Sequence, residues 1–358
     1  MHAWRVSVHG GVDQLKLEKV SRPKAKQSEA LIKIRAAGLN HLDIWARKGV
    51  PGHHFPLPMT LGCDAAGEII EFGPCSEDEQ IALGRQKIDI CSRVLIQPLL
   101  SCGVCLACRE GEFAICPQFG LLGETRDGVF ADFVRVPVRN LLLMADHLEF
   151  ESAAALPIAY TTAWSMLVHK ARVRPGDLIL VQAGGSGVSV AAIQFSKAFG
   201  CRIATTISSE EKASKAKTLG ADWVVNYRDA NYRGQLKEIA QSLGKRGFDF
   251  VIDHVGADTF AESLRLLDWG GSLITCGATS GSSVQIDLKP IFFKNLSIMG
   301  NTMGRGGDLE RILRWVEQGG IQPLIDKKFD WKELPEAVEY LEGRQAFGKV
   351  VLVNSSCS

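Results

Sequence analysis

The stretch from Pro175 to about residue 300 narrows the fold more than any other part of the chain, because short apolar runs alternate in it with helical ones. LILVQ, at 178–182, follows a Pro-Gly-Asp turn and is apolar without interruption until its last residue, which suits a strand buried on both faces. AGGSGVSV (183–190) is a glycine-rich turn that opens the helical VAAIQFSKAFG. CRIATTI, EEKASKAKTLG, DWVVNY, GQLKEIAQSLG, FDFVIDHVG, a helix near 258–268, GSLITCG and LSIMGNTMG continue the rhythm. Strand and helix alternating at this pitch require parallel strands joined by crossovers. The expected class is therefore α/β, with a doubly wound parallel sheet.

The preceding part reads differently. Residues 1 to about 157 carry short alternating runs broken by Gly and Pro, such as ALIKIRAAG, AAGEIIEFG and FADFVRVP, which predict a mostly β domain with a partly open barrel. The polar stretch 74–90 reads as a solvated loop, and the last fifty residues, with ILRWVEQGG and FGKVVLV, read as a return to the first domain. With 358 residues the chain is long enough for two cores. Lys plus Arg number 41 against 40 for Asp plus Glu, so no global field favours nucleic acid or an anionic membrane. MHAWRVSVHGG alternates like a strand and not like a signal peptide, and no run approaches the roughly 20 apolar residues of a membrane helix. Cys357 stands second from the end, the wrong place for prenylation. A cytoplasmic location is the expectation, and ten cysteines there point to thiols and metal ligands more than to disulfides.

Two local patterns carry chemistry. On the G-x-G-x-x-G template the turn after the first strand has Gly184, Ser186 and Ser189, so two of the three glycines are serine. A turn of this kind, Gly184, Gly185, Ser186, Gly187 and Val188, lets backbone approach a pyrophosphate at a helix N-terminus. The second strand ends at Thr205, Thr206, Ile207, Ser208 and Ser209, with no acid before Glu210. A carboxylate there would select a free ribose 2'-hydroxyl. Hydroxyls and the nearby Lys212 accept a 2'-phosphate instead, so NADPH is the expected cofactor. The second pattern is SCGVCLACREGEFAICPQ, with Cys102, Cys105, Cys108 and Cys116 spaced for one metal ion. The spacing alone leaves open whether that ion does chemistry or holds a loop.

Together with the G-x-N-x-x-D run at Gly38–Asp43 and the segment GCDAAGEIIEFG, these patterns resemble the medium-chain dehydrogenase/reductase superfamily, which includes zinc alcohol dehydrogenases and quinone oxidoreductases. The resemblance implies a GroES-like catalytic domain at 1–157 with a zinc lobe at about 98–120, a Rossmann NADP(H)-binding domain at 158–298, and a C-terminal return at 299–358. It also implies that the four cysteines hold one structural Zn²⁺, a closed tetrahedral site without an open position for substrate. AGLNHLDIWARKG and the Lys212/Tyr227 pair look most like the quinone oxidoreductase branch, where the matching Lys and Tyr contact the 2'-phosphate; Thr206 and Ser208 would lie beside it. By the same match Tyr160 and Thr162 face the nicotinamide, and Asp253, Gly277 and Lys349 line the cofactor cleft. LSIMGNTMG would be an edge strand that pairs with its copy in a homodimer.

Where the resembling dehydrogenases carry a catalytic zinc, this chain has Asn40, Cys63 followed by Asp64, and Ile158 as the three ligand positions, with Leu42 in place of the proton-relaying hydroxyl. An amide, one thiol and an aliphatic side chain do not make that site. The expectation is an NADPH-dependent enzyme that reduces a quinone or an activated double bond, in an α,β-unsaturated carbonyl or an enoyl thioester, by hydride transfer without catalytic zinc. Asn40 would donate to the substrate oxygen or hold the nicotinamide amide. His41, Cys63 and Asp64, with His53 and His54 nearby, are the candidates for the proton, unless solvent supplies it. Alternatives are an alcohol or polyol dehydrogenase with atypical ligands and a non-catalytic NADPH-binding protein.

Overall fold

The computed structural model describes residues 1–354, so Cys357 lies outside the described residues. The chain divides into two units: Met1–Ala159 together with the residues from Arg305 onward, and Tyr160–Gly304.

In the second unit the fully buried strand Leu178–Val181 pairs in parallel with Arg202–Ile207 on one side and Phe248–Asp253 on the other. Trp223–Asn226 extends the first side, and Leu267–Thr275 and then Ser297–Gly300 extend the second. The order across the sheet is thus third, second, first, fourth, fifth and sixth in chain order. The helices Gly187–Ala198, Glu210–Leu219, Tyr232–Ser242 and Phe260–Leu266 fall between successive strands. Leu178, Leu180, Ala204, Val225, Leu236, Phe248, Val251 and Leu273 form their common core, which is why these strands read as unbroken apolar runs. The direction of winding reverses between the first and fourth strands, and ligands of such sheets bind at the carboxyl ends of those strands.

The first unit centres on Glu29–Gly38, which pairs antiparallel with Asp64–Phe72, with Phe133–Pro137 and with Lys349–Val353. Arg93–Ile96 and Leu141–Leu143 continue one side of this sheet and Ile325–Asp330 the other. Lys349–Val353 thus brings the C-terminal segment back onto the N-terminal sheet. His2–Val6, Lys16–Lys19 and Met59–Thr60 make a small second sheet. Leu99–Leu100 and Gly120–Leu121 pair as a two-stranded stem that brackets the cysteine segment.

The stretch 74–90 is not the loop that its polarity suggests: Glu77–Gln86 is a helix. Ser76 accepts from the Glu79 N–H and Glu79 returns the bond to the Ser76 N–H, a capping box, with three acids in the first turn. This helix buries none of its residues, so it has no apolar stripe to betray it. Among the described residues no helix is long and apolar enough to cross a membrane.

Candidate active site, cysteine lobe and dinucleotide turn

Strand register assembles the first cluster. Gly38 lies opposite Asp64 on one neighbour and Val351 on the other, so Asn40, Cys63, Asp64 and Lys349 arrive together at the strand ends. A side chain at Gly38 would place its Cβ 2.4 Å from the Ala154 carbonyl oxygen, so only glycine allows this approach. Lys349 Nζ donates to Leu39 O (2.8 Å), Asn40 Oδ1 (2.7 Å) and Asp64 Oδ2 (3.0 Å), which occupies all its hydrogens. Asn40 Nδ2 donates to Asp64 Oδ2 at 2.9 Å and lies 3.4 Å from Cys63 Sγ. Asp64 Oδ1 accepts from the Ile158 N–H at 3.0 Å. The sequence leads one to expect Lys349 along the cofactor cleft and Asn40 on the substrate oxygen or the nicotinamide amide; here both direct their polar atoms into one buried network.

Asp43 completes that network from the helix His41–Lys48, where its Oδ2 accepts from the Asn40 N–H at 2.7 Å. Burial pushes its carboxyl up to about 7; the Asn40 N–H opposes this and the Asp64 charge adds to it. Burial, then the charges of Asp43 and Asp64, hold the Cys63 thiol well above its ordinary range, so it is neutral. For Asp64, burial raises the pKa while Lys349 and Asn40 pull it back. His41 stands half-buried at the start of the same helix. Further along, exposed His53 has Nε2 3.1 Å from Glu124 Oε1, and burial raises the Glu124 carboxyl. Glu124 was invisible as a site residue because nothing in GETRDG marks it as the partner of a distant histidine. His54 is exposed.

The cysteine lobe comes together as its spacing predicts. The four sulfur atoms all lie within 4.8 Å of one another, with Cys102 to Cys108 and Cys105 to Cys116 both at 3.9 Å. Thiolates bound tetrahedrally at a Zn–S distance of about 2.3 Å stand about 3.8 Å apart, so the set fits one zinc ion. Backbone N–H groups of Cys105, Cys102 and Gln118 point at Cys102 Sγ (3.3 Å), Cys116 Sγ (3.4 Å) and Cys116 Sγ (3.3 Å). The Val104 and Cys105 N–H groups bring the Cys102 thiol down to about 6, while against the Cys108 N–H desolvation and the neighbouring thiols push Cys105 up to about 11, so the charge in the set falls first on Cys102.

In the second unit a Cβ on Gly184 would sit 2.3 Å from Thr205 Oγ1, so the first glycine of the turn is required by packing. Ser186 caps the helix Gly187–Ala198, its Oγ accepting from the Ser189 N–H and its carbonyl from the Val190 N–H. That leaves the N–H groups of Gly187 and Val188 for an anion. Thr206, expected on the cofactor, is buried and spans Gln182 Oε1 and the Ala183 N–H. Asp253 is likewise buried, accepting from the Val255 and Gly256 N–H groups and from the Thr259 and Ser263 hydroxyls. Gly277 packs on the His254 carbonyl, 3.1 Å from where a Cβ would stand. Tyr160 is buried edge-on to Phe195 with its hydroxyl accepting from Gln194, and Thr162 is buried. Ser208 is half-buried at the end of the second strand, and Ser209 caps the helix that carries Lys212. The Tyr227 N–H donates to Ile207 O, which sets its exposed ring at the same strand end. Ser208, Lys212 and Tyr227 therefore gather at one corner of the sheet.

Two family models match: an alcohol dehydrogenase GroES-like domain over residues 26–146 and a zinc-binding dehydrogenase domain over 187–318. An NAD-dependent alcohol dehydrogenase of Saccharolobus solfataricus is 32% identical, with 95% of this chain and 96% of that protein covered. An acryloyl-coenzyme A reductase of Metallosphaera sedula is 29% identical over 97% of this chain and 98% of its own. A crystal structure of an NAD-dependent alcohol dehydrogenase superposes with a TM-score of 0.91 at 39% identity, covering 99% of this chain and all of the other. Fold and matches together define an oxidoreductase of the NAD(P)-dependent class. The chain belongs to the medium-chain dehydrogenase/reductase superfamily.

Proposed function

We propose that the protein is an NADPH-dependent reductase of an activated carbon–carbon double bond or a quinone. The observation that carries the reading is the donor set at the positions where resembling dehydrogenases hold a catalytic zinc. Asn40 is an amide committed to Asp64, Cys63 is a thiol held neutral, and Ile158 contributes only its backbone N–H. The Lys349 ammonium donates to Asn40 Oδ1 and to the neighbouring Asp64, which supports a reading without a catalytic metal at these positions.

The nicotinamide cofactor supplies the hydride when bound, and Gly187 and Val188 N–H groups with Ser208, Lys212 and Tyr227 would hold its phosphates. An enone or quinone spreads the incoming charge onto its own oxygen and does not require a Lewis acid. Within the first unit, Asp64 and Lys349 cancel each other's charge and fix Asn40 and the start of the His41–Lys48 helix. Asp64 accepts at both oxygens, which makes it a poor proton donor; His41 and the His53–Glu124 pair remain for that task, or solvent. The cysteine lobe would hold one structural Zn²⁺. Edge strand Ser297–Gly300, with Ile298 exposed, is the surface on which a second copy would pair to make a homodimer; sedimentation at micromolar concentration checks it.

A second reading, alcohol oxidation, is favoured by the names of the relatives at 32% and 39% identity. One experiment separates the two: NADPH oxidation against quinones, enones and enoyl thioesters, beside NADP⁺ reduction with primary and secondary alcohols, with zinc counted in the same preparation. One zinc per chain and turnover confined to the first panel is expected. Two zincs with alcohol turnover would overturn the proposal.

A further inference from the structure

The serines that replace glycine in the dinucleotide turn are held by a residue outside it. His254 directly follows the strand Phe248–Asp253, and its Nε2 lies 2.8 Å from both Ser186 Oγ and Ser189 Oγ. The hydrogens of this clasp can be assigned. Ser189 Oγ gives its one proton to the Gln182 carbonyl at 2.7 Å, so toward His254 it can only accept, and Nε2 carries the hydrogen. Ser186 Oγ accepts from the Ser189 N–H at 3.1 Å and directs its proton to Ser189 Oγ at 3.0 Å, so it too accepts from Nε2–H. Burial lowers the pKa of the ring against the pull of Asp253 and of the His254 and Gln182 backbone, which favours the neutral imidazole.

The third glycine of such a turn exists so that helix and strand can pack closely. Ser189 stands there fully buried, and a buried hydroxyl is tolerated only when its hydrogen-bonding capacity is met. Gln182 and His254 meet it. Ser186, pinned by the same ring, keeps its oxygen on the Ser189 N–H and not against an incoming phosphate, leaving the Gly187 and Val188 N–H groups as donors.

We propose that His254 is a cofactor-positioning residue, the group that lets serine occupy two glycine positions of the turn and that fixes the backbone donors meeting the dinucleotide pyrophosphate. The inference rests on the dinucleotide reading above but not on the choice of NADPH over NADH, because both carry the pyrophosphate. The test measures NADPH and NADH binding by nicotinamide fluorescence in the full-length protein, His254→Ala, His254→Gln, Ser189→Gly and the double variant Ser189→Gly/His254→Ala. His254→Ala is expected to raise both Kd values about tenfold, the scale of one lost buried hydrogen bond, with the NADPH to NADH ratio unchanged. His254→Gln, whose side-chain N–H can reach the hydroxyls, recovers most of the loss. In the Ser189→Gly background the same alanine costs less than about threefold, since half the clasp is already gone. Equal Kd in wild type and His254→Ala refutes the inference, as does an undiminished loss in the Ser189→Gly background. If His254→Ala does not fold, the glutamine and double variants decide by the same criteria. Failure of the unaltered protein to bind either dinucleotide would instead remove the cofactor reading and this inference with it.

Discussion

Replacing Asp43 by Asn should make the first unit's stability less dependent on pH, and in a predictable direction. Asp43 is buried with its carboxyl pushed from 3.8 up to about 7, chiefly by desolvation. In the unfolded chain it loses its proton near pH 4. Between about pH 4 and pH 7 the folded protein therefore holds a proton that the unfolded chain has released, and stability falls as pH rises. The contribution is fully present below the unfolded value and is lost above the folded one. A shift of about 3 units at about 1.4 kcal/mol each sets a limit of about 4 kcal/mol, of which roughly 3 kcal/mol falls between pH 5 and pH 8. Asparagine keeps an oxygen to accept from the Asn40 N–H but never ionises.

The measurement is the difference in melting temperature between Asp43→Asn and wild type, followed from pH 5 to pH 8, which cancels the titration of groups common to both. A gain of roughly 3 kcal/mol for a unit of this size corresponds to about 6–12 °C in favour of the variant at pH 8 relative to pH 5. A difference that stays constant with pH, or that moves against the variant above pH 7, would refute the reasoning. It would mean that Asp43 is ionised in the folded state, with Lys349 serving both carboxylates.

Three further outcomes are expected. Lys349→Met, which strips the ammonium from Asp64 at 3.0 Å in a buried setting, should cost about 3–5 kcal/mol, and the cost should shrink when Asp64→Asn is added, as a double-mutant cycle in chemical denaturation would show. Removing zinc with a strong chelator should release one ion per chain and unfold the 98–120 lobe, seen as loss of amide protection there; Cys105→Ser should do the same, and a variant that keeps the lobe but loses only turnover would contradict the structural role. Lys212→Ala should weaken NADPH about tenfold or more and leave NADH nearly unchanged in parallel titrations, and equal affinities for both cofactors in the unaltered protein would argue against a 2'-phosphate site.

The difference between what was legible in the sequence and what was not follows the range of the interactions. The doubly wound sheet shows itself because strands such as Leu178–Val181, buried on both faces, leave apolar runs whatever their partners. The cysteine lobe shows itself because its ligands are neighbours in the chain. Helix Glu77–Gln86 buries nothing, so only its Ser76–Glu79 cap marked it, and that signal was lost in the polarity around it. The Asn40 network was hidden for a different reason: Lys349 lies 309 residues from Asn40, and only the register of Gly38 against Asp64 and Val351 makes them meet. A sequence displays the charge of Lys349 but not the three acceptors that its hydrogens meet. His254 hid in the same way, beside a conspicuous Asp253 and ahead of Val255 and Gly256. On the proposed reading, Asn40 and the Ile158 backbone, at two of the zinc-ligand positions, belong to the same hydrogen-bond network as Lys349. One buried carboxylate, Asp64, needs a cation, and the fixed Lys349 ammonium meets it while its other two hydrogens go to Asn40 Oδ1 and Leu39 O; Asp43, held neutral by burial, makes no such demand.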